Sequence, residues 1–109
     1  MSEDAIVVFM TAANGEEATR LAEMLVGAHL AACVQILPEM ESVYRWQGKI
    51  ERSSEVLLLA KTTRAKFDDL EREVRALHSY DTPEIVAVPI VAGSAPYLEW
   101  LSQVTDLHG

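Results

Sequence analysis

The chain has 109 residues, half of them hydrophobic, and a formal net charge of −8. This describes one domain over residues 1–109 with a real core, and it excludes a disordered chain. The acidic balance excludes a broad basic face for nucleic acid, and no apolar run is long enough for a membrane-spanning helix.

Residues 5–10 (AIVVFM) form a continuous apolar run of strand length, as expected for a central strand buried on both faces. Asn14 opens the first helix, with Glu17 completing a capping-box pattern. Ala18, Leu21, Ala22 and Leu25 recur at helical spacing, and Gly27 suits the helix end. Residues 31–47 are long and extended. Pro38 marks a bulge or an edge there, because it has no N–H for a ladder. Gln47-Gly48 reverses the chain into residues 49–61, whose segment 56–60 (VLLLA) is a second central strand.

Thr62 or Thr63 is expected to cap the second helix, with Asp68 and Asp69 near its start and the stripe Phe67, Leu70, Val74 and Leu77 buried. Residues 85–91 form a fourth strand, placed at an edge by Pro89, and Ser94 with Pro96 opens a last helix. The order β-α-β-β-α-β plus a terminal helix is an α+β, ferredoxin-like sandwich with an antiparallel sheet ordered 4-1-3-2. The second strand and its partner make a hairpin too long for so small a domain. Its exposed edge, with Tyr44 and Trp46, calls for a covering partner, and another copy of the same chain is the simplest one.

His78 follows the last buried position of the second helix. Its simplest role is to complement the helix C-terminal dipole as an imidazolium. The alternative is ligation. Tyr80, Asp81 and Glu84 follow closely, so an imidazole, a phenol and carboxylates can converge on a divalent cation or a polar small ligand, although the spacing matches no defined metal motif. Glu84 at a strand mouth is expected to pair with Lys61. Met10 reads as a core filler whose thioether suits Cu(I) if Cys33 or His78 comes near.

Cys33, between apolar neighbours, is a small core residue or a soft ligand. As the only cysteine it forms no internal disulfide, which fits a reducing compartment. The opening MSEDAIVVFM lacks the basic n-region of a signal peptide, so a cytoplasmic protein is expected. Trp46, Tyr97 and Trp100 read as core or interface aromatics, while His29 and His108 stand alone. No Gly-rich phosphate loop, GxSxG elbow or HExxH motif is present, so neither an enzyme nor a required cofactor is expected.

The stretches AACVQILPEMESVYRWQGKI, EVLLLAKTT, HSYDTPEIVAVPI and YLEWL together resemble the CutA divalent-cation-tolerance family, in order and spacing, over nearly the whole chain. The resemblance implies a tight homotrimer similar in architecture to the PII signalling proteins, and a link to copper and other divalent metals. It also implies a pocket near the subunit interface involving Cys33, Tyr44, Trp46, Lys61, His78, Tyr80, Glu84 and Tyr97. Three positions depart from the family pattern: Ser79 where proline is usual, Gln35 where asparagine is common, and Met10 where some members carry a cysteine thought to ligate copper. Two functions follow as expectations: a copper or divalent-metal tolerance protein using His78, Cys33 and Met10, or a PII-like trimer whose clefts hold a small polar ligand or a partner loop.

Overall fold

The computed structural model describes residues 4–106, so His108 lies outside the described residues. The chain runs β1 (Ala5–Ala12), α1 (Gly15–Gly27), β2 (Cys33–Trp46), β3 (Lys49–Thr63), a 3-10 turn (Arg64–Lys66), α2 (Phe67–Leu77), β4 (Ile85–Pro89) and α3 (Ala95–Thr105). One antiparallel sheet has the order β2-β3-β1-β4, which is the expected 4-1-3-2 read from the other side. The two apolar runs, β1 and the second half of β3, are the central strands. Pro89 sits on an edge strand, where its missing N–H breaks no ladder.

Strand alternation divides the side chains between two faces. Ile6, Val8 and Met10 of β1 and Leu58 and Ala60 of β3 face α1 and α2, and form the core with Leu21, Leu25, Leu70 and Val74. On the other face lie the cross-strand rows Cys33–Lys61–Val7–Val88 and Gln35–Leu59–Phe9–Val86. Helix α3 covers one end of that face, where the Tyr97 hydroxyl lies 3.5 Å from the Cys33 thiol. The rest is apolar and partly open: Val86 and Val88 are about half exposed. No helix among the described residues is long and apolar enough to cross a membrane.

Several details differ from the sequence reading. Leu77, expected in the buried stripe of α2, is exposed at the helix end. Thr62 and Thr63 do not cap α2. They extend β3, a 3-10 turn precedes the helix, and neither hydroxyl makes a capping bond. Strand pairing with β1 claims both backbones, and the Thr62 hydroxyl is left buried without a partner among the described residues. Strand β4 stops at Pro89 rather than at residue 91, although Ile90 still donates to the Ala5 carbonyl at 2.9 Å. At the end of α1 the left-handed position falls on His29 (φ 61°), two residues after the glycine expected to serve there.

β3 pairs with β1 only over Val56–Thr63, so residues 49–55 pair with β2 alone. This two-stranded arm projects about 20 Å beyond the rest of the sheet at roughly 3.3 Å per residue. At its tip Gln47 and Gly48 both have positive φ, 52° and 81°, the two-residue turn whose twist suits a hairpin. Gly48→Ala is expected to lower stability by roughly 1–2 kcal/mol through backbone strain alone, because a Cβ at residue 48 meets nothing within 4 Å. Urea denaturation checks this. A second device lies at the arm's root. Between Leu37↔Leu57 and Met40↔Glu55, β2 carries one extra residue at Pro38-Glu39. That bulge turns Ser42, Tyr44 and Trp46 to the same side as Ser53 and Glu55.

Candidate functional site

The turn after α2 is wired to three other elements. His78 ends the helix, and its backbone N–H reaches the Val74 carbonyl. Its side chain, 1% exposed, folds inward instead of facing the helix dipole. Nε2 lies 2.7 Å from the Thr11 carbonyl, and Nδ1 accepts from the Tyr80 N–H at 3.0 Å. A carbonyl only accepts and an N–H only donates, so this pattern assigns the neutral tautomer protonated on Nε2. Both nitrogens are thereby committed inside the protein.

Glu17 completes the network. Asn14 caps α1 by accepting from the Glu17 N–H at 2.9 Å. The Glu17 carboxylate reaches back to the Ala13 N–H (2.9 Å) and across to the Ser79 N–H (2.7 Å), with His78 Nδ1 at 3.7 Å. Burial by itself would raise the Glu17 pKa. The Ala13 and Ser79 N–H groups and the Ser79 hydroxyl outweigh it and hold the carboxyl below its ordinary value. The hub positions Tyr80, whose ring lies 4.7 Å from that of His78 and whose hydroxyl donates to Glu55 Oε2 at 2.9 Å. Burial, with the hydrogen bond and charge of Glu55, pushes the phenol up to about 12.

Tyr80 and Glu55 stand at the floor of a cleft of about 800 Å³ between the arm and the turn that leads from α2 to β4. Tyr44 and Trp46 come from the arm, and Asp81, Thr82 and Glu84 from the turn. Four of the residues expected at a pocket, Tyr44, Trp46, Tyr80 and Glu84, therefore meet. His78 does not line this cleft. It supports Tyr80 from behind and borders a shallower surface depression with Arg72 and Arg75.

The remaining expected site residues lie elsewhere. Lys61 donates to Gln35 Oε1 rather than pairing with Glu84. Cys33 sits beside it, under Tyr97 of α3, and the Tyr97 phenol is pushed up to about 12 by its hydrogen bond to Cys33 and by burial. Lys61 is six residues from Glu55 along β3, a separation of about 20 Å. Met10 is fully buried on the helix-facing side, whereas Cys33 is on the opposite face. Within one chain Met10, Cys33 and His78 thus do not converge on one ion. Among the described residues no group of three or more His, Cys, Asp or Glu side chains is placed to hold a metal.

The ferredoxin-like sheet, the long arm and this cleft can be set beside known proteins. A family model described as CutA1 divalent ion tolerance protein matches residues 6–104. The chain belongs to the CutA1 divalent ion tolerance family. It is 48% identical over 100 residues to the chloroplastic protein CutA of Arabidopsis thaliana, a match covering 92% of this chain and 55% of that protein. It is 48% identical over 99 residues to the divalent-cation tolerance protein CutA of Thermus thermophilus, covering 91% and 96%. The chain thus spans about half the length of the plant relatives, 55% for Arabidopsis and 56% for rice. Among solved structures, the Thermus thermophilus Cut A1 protein superposes with a TM-score of 0.90 at 47% identity, covering 91% of this chain and 96% of that one. CutA1 from Oryza sativa superposes at 0.92 with 45% identity, covering 94% of both.

Within this CutA1 fold, two of the departures from the family pattern acquire a structural account. At Ser79, where the resemblance leads us to expect proline, the backbone N–H is the donor that Glu17 accepts; a proline has none to give. Gln35 of β2, with its extra methylene, accepts from Lys61 on the adjacent β3. Sequence reasoning missed Glu55 and the second role of Glu17. Glu55 carried one legible signal: a carboxylate two residues before Leu57, in step with the face opposite the helices. For Glu17 the capping pattern was legible, but its bond to Ser79 joins positions 62 residues apart and leaves no local trace.

Proposed function

We propose that this protein acts in divalent-cation tolerance as a homotrimeric binding protein rather than an enzyme, with its ligand held in clefts that the arms form between subunits. The observation that carries this reading is the arm. A two-stranded ribbon is marginal by itself in water, yet this one displays Val43, Tyr44, Trp46 and Ile50, with Trp46 57% exposed. The open sheet face adds Val86 and Val88. Copies arranged around a threefold axis cover the open sheet face and the Val43–Ile50 side of the arm, satisfy the free edge of β2, and leave the Tyr44–Trp46 side as a wall of the cleft between subunits. Light scattering is expected to give three times the chain mass. Val86→Asp with Val88→Asp is expected to raise the dissociation constant at least tenfold, by placing charges in the contact. A monodisperse wild-type monomer at micromolar concentration would sink the proposal.

Copper or another divalent cation is a second reading of the ligand. It draws on the hard carboxylate oxygens of Glu55, Asp81 and Glu84 along the cleft, which do not converge within one chain and need donors from a neighbouring copy to complete a site. The soft donors of the Cu(I) expectation, Met10 and Cys33, lie on opposite faces of the sheet. In this reading Glu84→Gln weakens a calorimetric Cu(II) isotherm and Met10→Leu leaves it unchanged. Equal isotherms for wild type and Glu84→Gln remove the carboxylates from consideration.

A further inference from the structure

The cleft has a one-sided chemistry. Among the described residues of one chain its lining includes three carboxylates, Glu55, Asp81 and Glu84, and three aromatic rings, Tyr44, Trp46 and Tyr80, and no Lys, Arg or His. The arm's Arg52 is engaged elsewhere, 3.5 Å from Glu41. Glu55 is only 8% exposed, and of its two oxygens Oε2 is the one that accepts from Tyr80. A carboxylate so removed from water, beside rings whose faces carry negative potential, is stabilised by a cation entering the cleft.

The kind of cation follows from the geometry. A metal ion needs several donors converging within roughly 2.0–2.6 Å. No such group occurs among the described residues, and about 800 Å³ far exceeds one ion. An alkylammonium group instead accepts dispersed partners: carboxylates at hydrogen-bond distance and ring centroids out to about 6 Å. Its methylenes bury against the half-exposed faces of Tyr44 and Trp46, and the cleft has the size of a small-molecule site.

We propose that the cleft between the arm and the α2–β4 turn binds a small aliphatic amine in its cationic form, with Glu55 and Glu84 as counter-charges and Tyr44 and Trp46 as the walls against its methylenes. This rests on the cleft being the binding site of the oligomer proposed above, and names the class of molecule it takes.

The test is a titration of the full-length protein with spermidine, followed by two-dimensional amide NMR and by tryptophan fluorescence, with 1,4-butanediol as the neutral control. The expected result is saturable shifts at residues 44–46, 55 and 80–84 and no saturable response to the diol. Affinity falls at least tenfold in Glu84→Gln and in Trp46→Leu, and falls again when NaCl is raised from about 50 to about 500 mM, as screening of charge requires. Light scattering on the same samples reports assembly. An intact trimer that gives no saturable shifts with spermidine overturns the amine proposal and leaves the oligomer reading standing. So does a trimer whose affinity is equal in wild type and Glu84→Gln. A monomer with no response overturns both.

Discussion

Replacing Glu17 by glutamine is expected to lower the unfolding free energy by about 2–4 kcal/mol at neutral pH, since bonds to a charged acceptor contribute roughly 1.5–3 kcal/mol each. The carboxylate is buried and accepts from two backbone N–H groups, Ala13 and Ser79. Glutamine offers one oxygen, and its NH₂ faces the other donor. The effect has a predictable pH window. A carboxyl whose folded-state pKa lies below its ordinary 4.5 contributes its full stabilisation above about that pH and loses it as pH falls through the lower folded value. The gap between wild type and Glu17→Gln is therefore widest at neutral pH and closes in acid. Urea denaturation at several pH values and one fixed protein concentration measures it, because an oligomer's stability depends on concentration. Ser79→Pro removes one of the same donors, so the double variant should lose less than the sum of the singles. A gap that stays constant into acid would show that the carboxylate is not held as described.

The second large effect is expected at His78. Phenylalanine keeps a ring in the buried space but can neither donate to the Thr11 carbonyl nor accept from the Tyr80 N–H. Two buried backbone groups are left unpaired, at roughly 1–3 kcal/mol each. His78→Phe should therefore be destabilised by about 2–4 kcal/mol, with partial relaxation of the turn. Direct and indirect roles separate cleanly. If His78 works by holding Tyr80, Cu(II) or spermidine binding weakens in His78→Phe only as far as it does in Tyr80→Phe. Binding abolished in the first and retained in the second would make His78 a ligand, against the commitment of both its nitrogens.

Legibility differed between kinds of residue for definite reasons. Asn14 and Glu17 were readable as a cap because capping acts over three positions. Pro38 announced a bulge or an edge and Pro89 an edge, because a missing N–H restricts pairing wherever it falls; β2 is an edge strand and carries the bulge. Thr62 and Thr63 misled because a threonine suits a cap and a strand equally, and pairing with β1 decided between them. His78, Tyr80 and Glu84 were singled out by chemical type, but their division of labour was not legible. His78 turns inward and Tyr80 and Glu84 turn to the cleft, and that is settled by what packs behind each one.

The sequence alone determined the order of elements, which two strands are central, and the family. Apolar periodicity, caps and prolines act over short stretches, and the continuous runs of β1 and β3 demand burial on both faces whatever lies around them. Only the tertiary structure decided that Met10 and Cys33 lie on opposite faces, that Lys61 is remote from Glu84, and that Glu17 and Glu55 belong to the machinery around Tyr80. Those relations join residues far apart in the chain. They depend on strand register and on a single inserted residue at Pro38-Glu39, and a shift of one position in either sends a side chain to the other face of the sheet.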